Sequence, residues 1–368
     1  MQTYSIKNKI ISVIFFLLSY TMVIFSTKSL FYQTQFKLSI RIIILIPGIF
    51  LIIRYLRIPK NELTKMIIFI FFSSLCVING FENIMNTLDL LALVYIVLLI
   101  DLSDTVDVFY RSTLWGMFLA LITVFLLVYL GFFENEIYID QMGRIRNFFG
   151  FANPNFLSLY IFSFSIFLYL HKKNNLSLLI SIVIIFITFY FTRSRTPFFS
   201  FLFFLLLLVF FKKRNIFLKK KISIYLIIIF LLVFTYLGIN YQNYPDIDYF
   251  LSGRLGLINQ LFNEVSLREL AFGGNLTEIT IDNSYLRFIK YYGIFFLILF
   301  LVALVNVEEN RPHELAFIIT MLIFGFFESV LVSPAVPVSS LFWYLILQGN
   351  KTSANKIDIS MTDVDYKN

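Results

Sequence analysis

Runs of about 17–20 apolar residues recur from one end of this chain to the other, broken only by short polar stretches. No other feature constrains the fold as much. A backbone inside lipid must satisfy its own N–H and C=O groups, so each run is expected to be an α-helix. Composition agrees: 59% of the 368 residues are hydrophobic, 14% are charged and 47 are Phe. A soluble domain carries about a quarter charged residues. Spans are predicted near 10–26, 38–55, 65–79, 87–100, 113–133, 154–170, 176–192, 197–211, 222–239, 285–305, 314–332 and 335–348. The expected fold is therefore an all-α polytopic membrane protein of about twelve transmembrane helices, with residues 1–368 forming one integral membrane domain. Lys7 and Lys9 precede the first run and no small-residue cleavage site follows it, so it reads as a retained helix.

The net charge is +8. Its basic residues are scattered among hydrophobic spans, which argues against nucleic acid as a partner. Lysine-rich loops mark the cytoplasmic side of a membrane protein. "KKRNIFLKKK" (212–221) is the strongest such anchor. Alternation then places "HKKNN" (171–175), "RYLRIPKNELTK" (54–65), both termini and a tail over 349–368 in the cytoplasm. The same solution places 134–153, "TRSRTP" (192–197) and 240–284 outside. The last is the longest polar stretch, rich in Tyr, Asp and Asn, and is expected to be a folded outer loop with short helical pieces.

The two sides differ in their choice of cation. Lysine dominates inside. Outside, arginine dominates: Arg41, Arg144, Arg146, Arg193, Arg195, Arg254, Arg268 and Arg287, against Lys28, Lys37 and Lys290. Topology requires positive charge inside and does not explain arginine outside. A guanidinium is a planar fork that grips phosphate oxygens in pairs. An outer arginine set points to an anionic, phosphorylated ligand. Lipid headgroups are the blander partner for any one of them.

Three outer motifs add helix N-termini to the arginines. "ANPN" offers Asn153 as a cap and Pro154 at the first helical position, with Asn155 next. "RTP" repeats this with Thr196 and Pro197. "DNSYL" puts Asp282, Asn283 or Ser284 at the start of the helix that carries Arg287. Helix N-termini bring partial positive charge and spare N–H donors, which suits a diphosphate. In "LSGRLGLINQLF" (251–262), Ser252 or Gly253 is expected to cap an amphipathic interfacial helix bearing Arg254. "FGGN" (272–275) reads as a turn in preference to a hinge. Among the outer carboxylates Glu264, Glu269, Glu278 and Asp282, Asp282 is the preferred general base because it adjoins the helix of Arg287. Helix capping is its alternative role. Cys76 is a lone cysteine in an apolar run, and His171 and His313 map to the cytoplasmic side. No Cys/His/Asp cluster has ligand spacing, so neither a metal nor another cofactor is expected.

The pieces "RNFFGFANPN" (146–155), "TRSRTP" (192–197), "SGR" (252–254) and "DNSYLRFIKYYG" (282–293) stand in an order that resembles the Wzy-type polysaccharide polymerases of the O-antigen ligase/polymerase superfamily. The hydropathy layout carries the resemblance over the whole chain, the motifs over a small part. The resemblance implies a GT-C-like membrane glycosyltransferase in the bacterial inner (plasma) membrane. Its substrates would be undecaprenyl-diphosphate-linked oligosaccharides, one donor and one acceptor, joined at the outer face without a metal into O-antigen or capsular polysaccharide. Arg146, Arg193 or Arg195, Arg254 and Arg287 would hold diphosphates, with Arg144 beside them and Asn153, Asn155, Asn283 and Ser284 in support. Related ligases place a histidine where this chain has Asp282, which favours polymerase over ligase.

Inversion at the anomeric carbon is expected, since one displacement needs no covalent nucleophile. Besides the membrane lipids, a separate chain-length regulator is an expected partner. Three rivals remain: an O-antigen ligase, a lipid-linked oligosaccharide flippase or other transporter, and a nonenzymatic membrane scaffold, which would not need the outer arginines. A transporter would place its polar groups near the membrane midplane, whereas these lie at the outer edge.

Overall fold

The computed structural model describes residues 6–31, 46–54, 84–103, 105–139, 143–213, 220–251, 253–274, 283–305, 312–333 and 336–347. The described chain is mostly helical. It runs through α1 (Ile6–Ile24), α2 (Lys28–Phe31), α3 (46–54), α4 (Ile84–Leu102) and α5 (Val106–Tyr129), then strands β1 (Ile137–Ile139) and β2 (Ile145–Asn147). There follow α6 (Pro154–Lys172), α7 (Asn175–Thr192), α8 (Arg195–Lys213), α9 (Lys220–Ile239), α10 (Pro245–Phe250), α11 (Arg254–Glu264), α12 (Leu267–Phe272), α13 (Ser284–Val305), α14 (Pro312–Phe327) and α15 (Pro337–Leu347). Five described helices are long and apolar enough to cross a membrane: α1, α5, α6, α7 and Ser284–Leu304 of α13. Shorter apolar helices accompany them at Ala92–Leu102, Arg195–Phe211, Ile228–Ile239, Pro312–Phe327 and Pro337–Leu347. The expected span at 65–79 lies outside the described residues.

The burial pattern shows what solvent these helices require. In α7 the buried residues are Ser177, Ser181, Ile185 and Thr192. Its Leu176, Leu179, Val183, Phe186, Ile187 and Tyr190 face outward. Water would penalise that arrangement heavily, while hydrocarbon accepts it. Small and hydroxyl residues at helix contacts with large apolar ones outside are the packing logic of a membrane protein. The chain is thus membrane-embedded.

Contacts among described residues fall into two units. The first draws on Met1–Met66, Ala92–Leu205 and Ser333–Ser340. Its tightest seam joins α1 to α5. A Cβ on Gly116 would stand 2.5 Å from the Phe16 carbonyl oxygen, so only glycine allows this approach. Ser12 and Ser112 hydroxyls meet at 2.6 Å, and Tyr20 donates to Thr123 Oγ1 at 3.3 Å. In the same unit Ser181 Oγ donates from α7 to the Ser165 carbonyl of α6 at 3.1 Å.

Residues 134–153, expected as an outer segment, contain an antiparallel hairpin pairing Ile137 with Asn147, Tyr138 with Arg146 and Ile139 with Ile145. Backbone hydrogen bonds tie its exit to the end of α1: Lys28 N to Gly150 O at 3.0 Å and Ala152 N to Ser26 O at 2.9 Å. Lys28 also donates to Glu136 and lies 3.5 Å from Glu134. The bond to Glu136 raises the Lys28 pKa above its ordinary value.

The second unit draws on Ile67–Leu91, Leu206–Val332 and Leu341–Asn368. Aromatic rings fill its core. Tyr285 packs on Phe326 at 4.5 Å, and Phe300 packs on Trp343 at 5.3 Å. The expected outer loop over 240–284 is folded where described: a 3-10 turn (Tyr241–Asn243) and then α10, α11 and α12. Helix α11 lays its apolar face, Leu255, Ile258 and Leu261, into the protein. Gly238 of α9 makes room, since a Cβ there would lie 2.3 Å from Ile258 Cγ2. "FGG" is a turn bound to α13. Gly274 N donates to Lys290 O at 2.9 Å, and Gly273 has φ 79°. Opposite it α13 breaks its helical geometry at Gly293, φ 79°, where a Cβ would meet the Ala271 carbonyl oxygen at 2.1 Å.

Candidate functional site

In the first unit, Arg146 projects from β2 to the start of α6 and the turn after α7. Its Nε donates to the Thr192 carbonyl at 2.9 Å. Its Nη2 donates to Asn155 Oδ1 at 2.5 Å and to Ser194 Oγ at 2.9 Å. Ser194 Oγ donates to the same Asn155 oxygen at 2.8 Å, and Ser158 Oγ meets Thr192 Oγ1 at 2.7 Å. Asn153 caps α6 by accepting from Asn155 N at 2.8 Å, with Pro154 at the first helical position, as its residue type predicts. One guanidinium therefore pins the start of α6 to the end of α7. All three of these acceptors are neutral oxygens.

The turn after α7 differs from its expected form. Arg193 takes the left-handed C-cap position, φ 52°, with its N–H on Phe189 O at 2.9 Å and its guanidinium 5.0 Å from the Tyr190 ring centre. Helix α8 begins at Arg195, so Thr196 lies inside the first turn and is not the cap. Pro197 is tolerated there because first-turn residues have no helical acceptor for an N–H. Arg193 is exposed, Arg195 is half-buried, and Arg144 is half-buried just before β2.

The second unit gathers Arg254 and Asn283. Gly253, φ 78°, turns the chain into α11, and Arg254 is its first residue. Asp248 Oδ1 caps that helix from α10, accepting from Leu255 N at 2.8 Å and Gly256 N at 3.4 Å. Ser252 lies outside the described residues. Arg254 Nη2 lies 3.5 Å from Glu328 Oε1, each side chain only 20% exposed. Asn283 caps α13: its Oδ1 accepts from Tyr285 N at 2.9 Å and Leu286 N at 3.1 Å. Ser284 bridges, donating to Glu328 O at 2.6 Å and accepting from Leu331 N at 3.2 Å.

The other end of the Asn283 amide has no such partner. The residue is 5% exposed, and its Nδ2 is buried without a hydrogen bond among the described residues. Asn283 and Arg254 line one small cavity of about 20 Å³, with Phe234, Leu257, Ile258, Leu286 and Phe326. That is room for one water-sized group. A buried donor left unpaired costs about 1–3 kcal/mol, so this amide is built to meet an acceptor. The N-terminus of α13 and the Arg254 guanidinium, itself paired with Glu328, border the same space.

Arg287 sits one turn further along α13, half-buried, its guanidinium 5.4 Å from the Tyr291 ring centre. Asp282, the preferred base, and Glu278 lie outside the described residues. Glu269 is occupied otherwise. It forms a capping box with Ser266, whose hydroxyl donates to Oε2 at 2.7 Å, and this bond holds its carboxyl below the usual range. Glu328 is a carboxylate that the motif reading passed over. Its signal was available: it is the lone charged residue between 315 and 350. Among the described residues no three His, Cys, Asp or Glu side chains gather as a metal site.

Searches against family models, curated proteins and solved structures return no match to this chain. What the fold itself defines is the broader class: a mostly helical protein embedded in a membrane, with two arginine-centred polar clusters.

Proposed function

We propose that this protein is a GT-C-like membrane glycosyltransferase of about twelve spans that polymerises undecaprenyl-diphosphate-linked repeat units into a polysaccharide. The buried Asn283 amide, without an acceptor beside Arg254 and the α13 N-terminus, is the observation that carries the reading. A diphosphate oxygen has the charge and size that this corner selects. The ordered motifs around Arg146, Arg193, Arg195, Arg254 and Arg287 support it. The reaction takes place at the outer face of a bacterial plasma membrane, with both termini in the cytoplasm.

In the proposed step, a hydroxyl of the incoming lipid-linked unit attacks the anomeric carbon of the growing chain. The bond from that carbon to the diphosphate oxygen breaks, and undecaprenyl diphosphate leaves. The hydroxyl proton passes to a carboxylate, Asp282 or Glu328. Negative charge grows on the leaving diphosphate, and Arg254, Asn283 and Arg287 stabilise it without a metal. A single displacement inverts the configuration.

The test is polymer analysis in a deletion strain complemented with wild type, Arg254→Ala, Asp282→Asn or Glu328→Gln. Single repeat units should accumulate in the deletion and in the Arg254 variant. Only one of the two carboxylate variants should match them. Normal polymer in the deletion strain ends the proposal, and bare lipid A core in its place turns the reading to ligation.

A further inference from the structure

The hairpin between α5 and α6 sorts its side chains by face. Successive strand residues point to opposite sides, and paired residues share a side. The register pairs Ile139 with Ile145 and Ile137 with Asn147, so three isoleucines stand on one face. The other face carries Tyr138 and Arg146. Phe148 N extends the ladder to Glu136 O at 3.0 Å, which adds Glu136 and Phe148 to that face. It turns into the protein: Arg146 donates to Thr192, Asn155 and Ser194, Tyr138 packs on Phe148, and Glu136 accepts from Lys28. The isoleucine face turns away. Ile137, Ile139 and Ile145 are 66%, 64% and 63% exposed, and Asn147 turns its Oδ1 back to Phe149 N at 3.0 Å. A ribbon of this kind in water carries polar residues on its outward face.

Two observations say what meets the isoleucines. The first is their side of the bundle. Phe149, at the foot of β2, is wedged edge-on between Phe125 of α5 at 5.9 Å and Phe191 of α7 at 5.6 Å. Both belong to the lipid-facing surface, being 40% and 46% exposed. The hairpin therefore leaves the bundle on its lipid-facing side. The second is their level. Past the charged turns of α5, the rise from Ser112 to Tyr129 is about 27 Å at ~1.5 Å per residue, close to the ~30 Å of a bilayer's hydrocarbon. Tyr129 is 86% exposed and Phe132 71%, and tyrosine at the end of a span marks the membrane–water interface. Strand β1 begins at Ile137, just past that level. The bonds from Lys28 N to Gly150 O and from Ala152 N to Ser26 O hold the exit of the hairpin at the end of α1.

We propose that the hairpin is an in-plane membrane anchor, with Ile137, Ile139 and Ile145 seated between headgroups and acyl chains at the Tyr129 end of α5. Its partner is the lipid surface itself. An uncharged, β-branched face at that boundary gains by burial and needs no particular headgroup. Anchored in this way, the hairpin holds Arg146 and the start of α6 at a fixed depth. The anchor is independent of any glycosyl transfer.

The full chain is reconstituted in phosphatidylcholine vesicles with Trp115→Phe as background, since the remaining tryptophan, Trp343, is 2% exposed. Ile137→Trp supplies the reporter. Its quenching is read with phosphatidylcholine brominated near the glycerol end of the chains, with the same lipid brominated near the chain terminus, and with iodide on both sides of the vesicle. The shallow bromine should quench roughly threefold more than the deep one, and iodide should quench weakly. Adding Ile139→Asn and Ile145→Asn should move the reporter from bromine to iodide, whereas Ile139→Leu with Ile145→Leu should leave it in lipid. Circular dichroism and gel filtration confirm that each variant is folded. Strong iodide quenching without bromine quenching of Ile137→Trp overturns the proposal, leaving a hairpin in water. Protection from both quenchers overturns it in favour of a protein cover, such as a second copy of the chain. Bromine quenching that survives the two asparagines overturns it as well, because tryptophan's own preference for interfaces would then account for the signal.

Discussion

The two arginine clusters are built from the same parts and finished differently. Each places an arginine and an asparagine at the N-terminus of a long helix. In the first unit the parts close on one another. Arg146 spends Nε and Nη2 on Thr192, Asn155 and Ser194, and the Asn155 oxygen receives two donors. In the second unit the circuit is left open, since Asn283 Nδ2 has no acceptor beside Arg254. An outer arginine is thus not one kind of residue here. Arg146 is a tie between helices, and Arg254, paired with Glu328, lines the cavity beside the buried Asn283 amide.

The largest expected effect is on the open cluster. Asn283→Asp keeps the cap, and the new charge suits the helix N-terminus, but it removes the Nδ2 donor and repels an anion. Polymer synthesis by the purified protein should fall by about 10²–10³-fold, the usual loss for one preorganised donor, with melting in detergent unchanged. Undiminished synthesis would mean that a water, and not substrate, meets Asn283. Arg254→Ala should fall in the same range, with a lowered melting temperature because Glu328 loses its partner.

The closed cluster should respond in the other currency. Arg146→Ala removes one donor from each of the Asn155, Ser194 and Thr192 oxygens and should cost roughly 3 kcal/mol of stability, seen as a lowered melting temperature. Arg146→Lys should recover little of it, because an ammonium cannot span that geometry. If Arg146→Ala melts like wild type, the contrast between the clusters collapses.

Smallest is the effect of Ser266→Ala, about 1 kcal/mol from loss of the capping box, read by amide exchange across α12. Glu269 makes that box pH-dependent. Its folded pKa lies below the unfolded one. Its contribution is therefore complete above the ordinary carboxylate range and is lost as pH falls through the lowered value. Protection of α12 should decline on acidification in the wild type and not in Ser266→Ala.

Much of the helical layout was legible, because a helix in lipid is a long apolar run whatever else it touches. Starts were legible where one residue does the capping, as at Asn153–Pro154 and Asn283. Errors arose where charge sits inside a helix. The span read from 113 begins at Val106, because Asp107 and Arg111 occupy its first turns at the polar end. Asp248 capping α11 was hidden, since the cap comes from the preceding helix across a left-handed Gly253. The acceptors of Arg146 were hidden for the same kind of reason: Thr192 and Ser194 are 46 and 48 residues away in sequence. Motif reading brought Arg146 and Arg254 forward without separating the one that ties two helices from the one beside a buried amide.

The seam between α1 and α5 also sets a timetable. Ser12 and Ser112 are 100 residues apart, and ribosomes add about 5–20 residues per second. After α1 enters the bilayer, some 5–20 s pass before its partner is made. Through that interval its Ser12, Ser19 and Tyr20 face must be tolerated by lipid or sheltered by the insertion machinery. Gly116 then lets the late helix dock onto one already in place. Within the first unit α1 thus waits for a partner made 100 residues later, while α6 and α7 follow one another directly.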